Sequence, residues 1–434
     1  MSSRDEIVRA DKRRVWHPYT PMQEYVERTE PLCIARAQGA RLYDHDGRSY
    51  LDGNSSWWTA ALGHGHPRLV AALARQAESM CHVPLAGIAH EPAAMLAEEL
   101  VAVAPAGLER AFFSDDGSTA VEVALKLCLQ YWHQNGRPER RRFVALESAF
   151  HGETLGASAL GGVEVFRRPF AGVLLDCVHV PVEESGHEQA FVALERVIRG
   201  AADTLAAVVL EPMLQGAAGM RVYPAEYLAR AAELARAADV FLVLDEVFTG
   251  YGRTGPMWAL EHAGVTPDLL CTAKAFSGGM LPMAATLVSE RLFQGFLGEA
   301  SRAFFHGHTY AGNPLGAAVA REVLAIYRDE RILEQARPKA ERIARAFERL
   351  GEVVGVGSPR SLGMVGAVDL EGARGYLSGG GWRVYAEALR RGAYLRPLGN
   401  VVYVAPPLNI SDPELDELLG ILDESVRAAL ASGA

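Results

Sequence analysis

From about residue 66 to residue 310 the chain repeats one pattern: a run of three to five apolar residues, then a segment of helix length. The runs are Ala111-Phe112-Phe113, Phe143-Val144-Ala145-Leu146, Ala206-Ala207-Val208-Val209-Leu210, Phe241-Leu242-Val243-Leu244 and Leu269-Leu270-Cys271. Strands this short, with no polar alternation, have to be buried on both faces. The segments between them supply the covers. Pro92–Val103 reads as one such helix, with Met95, Leu96, Leu100 and Val103 at helical spacing. The pattern predicts an α/β fold whose mostly parallel central sheet is covered by helices.

A chain of 434 residues has room for two domains. The first sixty residues mix strand-like pieces with turns, such as Gly39–Tyr43 running into Asp44–Gly47. After Asn313-Pro314 a long helical region begins, within which Arg328–Arg349 reads as a solvated helix. From Val353 to Ala434 strands and helices alternate again. The expected division is a large domain over 61–315 and a smaller α+β domain built from 1–60 and 316–434.

Bulk properties exclude several function classes. A net charge of −10 argues against non-specific nucleic-acid binding. No apolar run approaches eighteen residues, so no membrane span is expected. The start Met-Ser-Ser-Arg-Asp-Glu lacks the apolar core of a signal peptide. Five scattered cysteines without a CxxC pair fit reduced thiols in a cytoplasmic enzyme. The pairs His64-Gly65-His66 and His306-Gly307-His308 come with neither an HExxH motif nor a carboxylate cluster, so no metal is expected.

In open α/β sheets ligands bind beyond the carboxyl ends of the strands, and chemistry-bearing residues gather there. Of the four lysines, Lys12, Lys126 and Lys339 have ordinary polar surroundings, with Lys126 at the i,i+4 spacing from Glu122. Lys274 instead ends the apolar run Leu269–Ala273, with no other charge between Asp268 and Glu290. A desolvated lysine has a depressed pKa and becomes a nucleophilic amine; the competing reading is a buried stem with a wet tip. Asp245, 29 residues earlier, ends the preceding run, where a buried carboxylate needs a cation or strong donor. Ser114–Thr119 opens the helix beginning Ala120-Val121-Glu122, either as an anion cradle or through plain capping by Ser118 or Thr119. Phe150-His151 follows a fourth strand and offers an aromatic face.

An anion cradle, an aromatic plate, a carboxylate for a pyridinium nitrogen and an uncharged lysine are together what pyridoxal phosphate needs. A competing motif, Gly250-Tyr251-Gly252-Arg253-Thr254-Gly255, spells the dinucleotide GxGxxG. Pro256 follows it at once, and Asp268 comes only 13 residues after the last glycine, so it does not read as a nicotinamide site.

The stretch Leu244-Asp245-Glu246-Val247-Phe248-Thr249-Gly250-Tyr251-Gly252-Arg253-Thr254-Gly255, followed by Lys274, resembles the signature of the class III (omega) aminotransferases, over essentially the whole chain. The resemblance implies the fold-type-I architecture, pyridoxal 5′-phosphate and a homodimer with shared active sites. It casts Lys274 as the lysine joined to the cofactor and as the proton shuttle, and Asp245 as the partner of the ring nitrogen. Phe150, with His151 beside it, and Val247 would sandwich the ring. Gln215 would approach the phenolic oxygen. Gly117 and Ser118 would hold the phosphate, joined by His308 and Thr309 of the neighbouring subunit.

Several blocks are most similar to one branch of that class, which moves an amino group from S-adenosylmethionine to 8-amino-7-oxononanoate in biotin biosynthesis by a ping-pong scheme. They are Trp16-His17-Pro18-Tyr19-Thr20, Ser55-Ser56-Trp57-Trp58, Asp116–Lys126, His306-Gly307-His308-Thr309, and Arg396-Pro397 with Tyr403–Pro407. By that resemblance Tyr19, Trp57, Phe150, Lys274, Gly307, Arg396 and Tyr403 would line the substrate site, with Arg396 facing a carboxylate. Phe150 departs from the branch, which usually carries tyrosine there. It keeps the stacking face without the hydroxyl, so an ω-amino acid or diamine donor stays open beside S-adenosylmethionine.

Overall fold

A computed structural model describes residues 2–182, 188–372 and 375–431. Its centre is a seven-stranded sheet in the order Leu108–Ser114, Ala284–Ser289, Leu269–Thr272, Phe241–Asp245, Leu205–Leu210, Arg142–Leu146, Cys177–Val180. Only Ala284–Ser289 runs against the rest, pairing antiparallel with both its neighbours.

Alternate residues of the apolar runs enter two separate cores. Phe143, Ala145, Ala207, Val209, Phe241, Val243, Leu269 and Cys271 pack on one face with Val121, Ala124, Leu125 and Trp132 of the helix Gly117–Gln134. Val144, Leu146, Val208, Leu210, Leu242, Leu244 and Leu270 pack on the other, against Leu194 of the helix Glu188–Ala201 and Leu228 and Ala231 of Ala225–Ala237. Each large apolar side chain buried this way contributes about 1.5–3 kcal/mol, and a polar group on either face has no water to meet. That is why the strands read as unbroken apolar runs.

Three smaller sheets accompany this one, the least of them the pair Leu214–Gln215 and Arg221–Val222. Ile34–Gln38, Arg41–Asp44 and Ser49–Asp52 form an antiparallel set, and Ala393–Tyr394 joins it parallel to Ser49–Asp52, with Leu51 opposite Ala393. Val356–Leu362, Val365–Leu370 and Val401–Val404 form a second antiparallel sheet. Segments that precede and follow the central sheet in the chain therefore share one sheet.

The solvated helix expected over Arg328–Arg349 is not found. Two helices, Pro314–Asp329 and Ile332–Leu350, meet at Arg331, whose φ of +52° breaks the run. The second buries Ile332, Ala336, Ile343, Phe347 and Leu350 along one stripe, so its charges mark only the outer face. Lys339 lies on the inner stripe, and its Nζ donates to the carbonyl of Leu408 at 3.0 Å, contrary to the polar surroundings expected of it. Lys126 also departs from expectation: its Nζ meets His306 Nδ1 at 2.9 Å, while Glu122 accepts from the N–H groups of Gly156 and Ala157.

Candidate active site

Parallel pairing of Phe241–Asp245 with Leu269–Thr272 sets Asp245 opposite Cys271, three residues before Lys274. Both functional side chains thus emerge at the same end of the sheet and line one cavity of about 570 Å3. Asp245 is held from two sides. Its Oδ1 accepts from the N–H of Val247 at 3.0 Å, and its Oδ2 lies 2.7 Å from Nδ1 of the buried His151. Burial opposes a charge on His151, but the hydrogen bond and charge of Asp245 outweigh it and raise its pKa.

Lys274 opens a 3-10 turn with a φ of +51°, a strained value for a non-glycine residue and one often found at functional sites. Its Nζ lies 4.8 Å from the centre of the Trp58 ring. Burial pushes its pKa down to about 8, against the pull of Asp245 and Glu211. It is a usable nucleophile near neutrality. Glu211 also lines the cavity; burial pushes its carboxyl up to about 7, and it accepts from Phe150 N–H at 3.0 Å and Gly216 N–H at 2.9 Å. It ties the backbone of Phe150 to that of Gly216.

The helix Gly117–Gln134 points its N-terminus into the same cavity. Its N-cap is Asp116, whose Oδ1 accepts from Thr119 N–H at 2.9 Å, while Thr119 Oγ1 accepts from Asp116 N–H at 3.1 Å, so Thr119 completes a capping box and Ser118 takes no part in it. The N–H groups of Gly117 and Ser118, in the first turn, have no intrahelical acceptor. Glycine is required at two points here. A Cβ on Gly117 would sit 2.7 Å from Val247, and one on Gly152 would sit 2.2 Å from the Ser118 hydroxyl.

These features fit pyridoxal phosphate. The helix start suits the phosphate, Phe150 and Val247 both face the cavity, and Asp245 offers a fixed carboxylate to a ring nitrogen. Two buried polar atoms, His151 Nε2 and Gln215 Oε1, have no partner among the described residues. Gln215 does not itself line the cavity; it is buried behind Gly216, with its Nε2 donating to the carbonyl of Glu147.

The outer part of the cavity is aromatic. Ser55, Ser56, Trp57 and Trp58 all have positive φ, from +46° to +72°. A left-handed turn of this kind costs about 1–2 kcal/mol per residue. It is held by Ser55 Oγ donating to Ala405 O at 2.7 Å, and by Trp58 Nε1 donating to the Tyr403 hydroxyl at 3.2 Å. The strain places Trp57 and Trp58 side by side on the cavity wall. Tyr19 lines the same wall, donates to Glu153 at 3.2 Å, and meets Phe166 edge to face. Arg396 completes the mouth.

Tyr403, expected at the substrate, is instead 3 % exposed and packs with Trp58 and Phe248. It stands behind the wall and supports Trp58. Gly307, His308 and Thr309 do not reach this cavity within the chain. His308 Nε2 lies 3.5 Å from Asp115, and the neighbouring Phe305 and Tyr310 are 82 % and 61 % exposed. Reading the sequence missed Glu211, Trp58, Phe166 and Tyr376 as lining residues. Glu211 carried the same signal as Asp245, a carboxylate closing an apolar run. Phe166 and Tyr376 carried none, because distant segments bring them in.

A family model described as Aminotransferase class-III matches residues 23–426. An adenosylmethionine-8-amino-7-oxononanoate aminotransferase of Nitratidesulfovibrio vulgaris is 42% identical, over 98% of this chain and 82% of its own. Its Geobacter sulfurreducens counterpart is 38% identical, over 96% of each chain. Among solved structures, the enzyme of that name from Methanocaldococcus jannaschii aligns with a TM-score of 0.95 at 35% identity, covering 98% of this chain and 99% of its own. A transaminase from the marine bacterium Virgibacillus aligns with a TM-score of 0.93 at 30% identity, covering 99% and 100%.

Proposed function

The chain belongs to the class-III aminotransferases, which makes it a pyridoxal-phosphate-dependent enzyme, and we propose that it transfers an amino group from S-adenosylmethionine to 8-amino-7-oxononanoate, giving the 7,8-diaminononanoate of biotin biosynthesis. One observation carries the substrate reading: a single cavity has the Lys274–Asp245 pair, an apolar and aromatic wall, and the Arg396 guanidinium. A long keto acid fits that sequence of surfaces, with its ketone toward Lys274, its methylene chain on the wall and its carboxylate at Arg396.

When bound, pyridoxal phosphate supplies the aldehyde carbon that carries the amino group from donor to acceptor, and an electron-poor ring that draws charge from the reacting carbon. The Lys274 amine removes and returns the proton at the reacting substrate carbon, a task suited to its pKa of about 8. Asp245, oriented by His151 and Val247, would be the partner of the ring nitrogen. Gly117 and Ser118 would hold the phosphate with backbone N–H groups, and Phe150 and Val247 would flank the ring; Gln215, set behind the wall with its Oε1 unpartnered, would meet the phenolic oxygen only from there. Tyr19 and Trp57 exclude water from the bound substrate.

Gly307, His308 and Thr309 belong to the same reading as contributions to the site of a second subunit. The exposed Phe305 and Tyr310 beside them suit a homodimer contact. The division of the chain at 61 and 315 is also part of the proposal, supported by the pairing of Ser49–Asp52 with Ala393–Tyr394. A cytoplasmic location agrees with the free cysteines, and no described helix is long and apolar enough to cross a membrane. Among the described residues no group of three or more candidate metal ligands occurs.

Phe150 favours a second reading, an ω-amino acid or diamine donor, because its ring brings no hydroxyl to the donor. A growth test checks the acceptor and product, while the donor is read by the half-reaction with S-adenosylmethionine. A strain lacking 7,8-diaminononanoate synthase should grow without biotin when it carries this protein, and should not grow with Lys274→Ala. Failure of the unaltered protein to restore growth, when expressed and folded, contradicts the biotin assignment.

A further inference from the structure

The Arg396 guanidinium has no carboxylate partner among the described residues and is held by rings. Its central carbon lies 4.7 Å from the centre of the Trp57 ring and 5.8 Å from that of Trp382. Trp57 lines the cavity, whereas Trp382 does not; it sits on the helix Gly380–Arg391, far along the chain from the left-handed turn that carries Trp57. A guanidinium attracted by an aromatic face keeps its planar N–H fork available, while a carboxylate partner would occupy that fork.

The arrangement is built rather than incidental. The N–H of Gly381 donates to Gly399 O at 3.0 Å. A Cβ on Gly381 would lie 2.4 Å from Pro397 Cβ and 2.5 Å from Gly399 O, so only glycine lets this helix approach the turn that follows Arg396. Trp382 is the next residue. From the other side, Asn54 Oδ1 accepts the N–H of Arg396 at 2.7 Å, so the backbone of the arginine is tied to the segment that carries Trp57.

We propose that Trp382 is a positioning residue for substrate recognition: with Trp57 it holds the Arg396 guanidinium by its face, leaving the N–H fork free to take the carboxylate of the keto-acid substrate. The inference rests on the reading of Arg396 as the carboxylate site. Removing the outer indole lets the side chain sample other rotamers, and the loss falls on substrates that carry the carboxylate.

The test compares 8-amino-7-oxononanoate with its methyl ester as amino acceptors for the holoenzyme. Trp382→Leu keeps the helix and the apolar bulk and removes the ring, while Trp382→Phe restores a ring. The unaltered enzyme should prefer acid over ester in kcat/KM. Trp382→Leu should reduce that preference by about threefold to tenfold, through KM for the acid and with kcat little changed. Trp382→Phe should recover most of it. If Trp382→Leu discriminates acid from ester as well as the unaltered enzyme, the positioning role is wrong while Arg396 keeps its assignment. If the unaltered enzyme itself shows no preference, the carboxylate reading of Arg396 fails, and the inference with it.

Discussion

Nδ1 of His151 lies 2.7 Å from Oδ2 of Asp245, in a buried pair that lines the cavity. The contact fixes the direction of the carboxylate and ties the charge states of the two residues together. The folded-state pKa of His151 is raised above its ordinary value of 6.5. A raised basic group stabilises the fold fully below its unfolded pKa, and that contribution disappears as pH rises through the folded value. His151→Gln should therefore lower the apoenzyme's stability by on the order of 1–3 kcal/mol below pH 6.5, and the gap should narrow as pH rises above that value. Thermal unfolding of both proteins across that range checks it; a gap that widens with pH contradicts it.

Lys274 sets a second pH dependence. Its pKa of about 8 places the half-point for capture of added pyridoxal phosphate by the apoenzyme far below the 10.5 of an ordinary lysine. Because the charge of Glu211 raises that pKa, Glu211→Gln should move the half-point to lower pH. Stopped-flow absorbance at a series of pH values reads both. An upward shift in Glu211→Gln would overturn the electrostatic account.

Lys274→Ala should lose at least about a thousandfold in turnover, the scale expected of a group proposed both to hold the cofactor and to move the proton. After borohydride treatment with pyridoxal phosphate, peptide mass analysis should find the added mass on the peptide containing Lys274, and nowhere in the variant.

Phe150→Ala removes the plate and should weaken cofactor retention by about threefold to tenfold, the usual worth of an aromatic stack. Phe150→Tyr should keep retention and change KM for the amino donor. Equilibrium dialysis and donor kinetics separate these outcomes. Equal cofactor retention in all three proteins would remove Phe150 from the ring site.

The proposed sharing of sites between two subunits makes a mixing prediction. Lys274→Ala and the double variant His308→Ala/Thr309→Ala should each be nearly inactive alone. Refolded together at equal amounts, they should recover about a quarter of normal activity, because half the dimers are hybrids with one intact site each. No recovery, with hybrids demonstrated by mass, would place His308 and Thr309 outside the partner's site.

The central sheet was legible in the sequence because both its faces are dry, which leaves continuous apolar runs with sharp ends. Two of its strands were not: Ala284–Ser289, whose two leading alanines carry weak strand preference and whose reversed direction leaves no local mark, and the half-buried edge strand Cys177–Val180, with His179 in its run. The inner end of the cavity was legible for the same reason as the strands: Asp245 and Lys274 are charges that close apolar runs. Glu211 was equally readable and was passed over. The outer end was not readable from local pattern. Phe166, Tyr376 and Trp382 come from separate segments, and Tyr403 was misplaced because an aromatic residue on a strand looks the same whether it faces substrate or supports Trp58 from behind. The surface charge of Ile332–Leu350 hid its buried stripe.

The half-reaction with S-adenosylmethionine tests the central claim most directly. Purified holoenzyme mixed with S-adenosylmethionine and no acceptor should lose the yellow absorbance of bound pyridoxal phosphate and release pyridoxamine phosphate on denaturation. Adding 8-amino-7-oxononanoate should restore the colour. If S-adenosylmethionine leaves the spectrum unchanged while a diamine or an ω-amino acid bleaches it, the proposed donor is wrong and the fold serves a different aminotransferase.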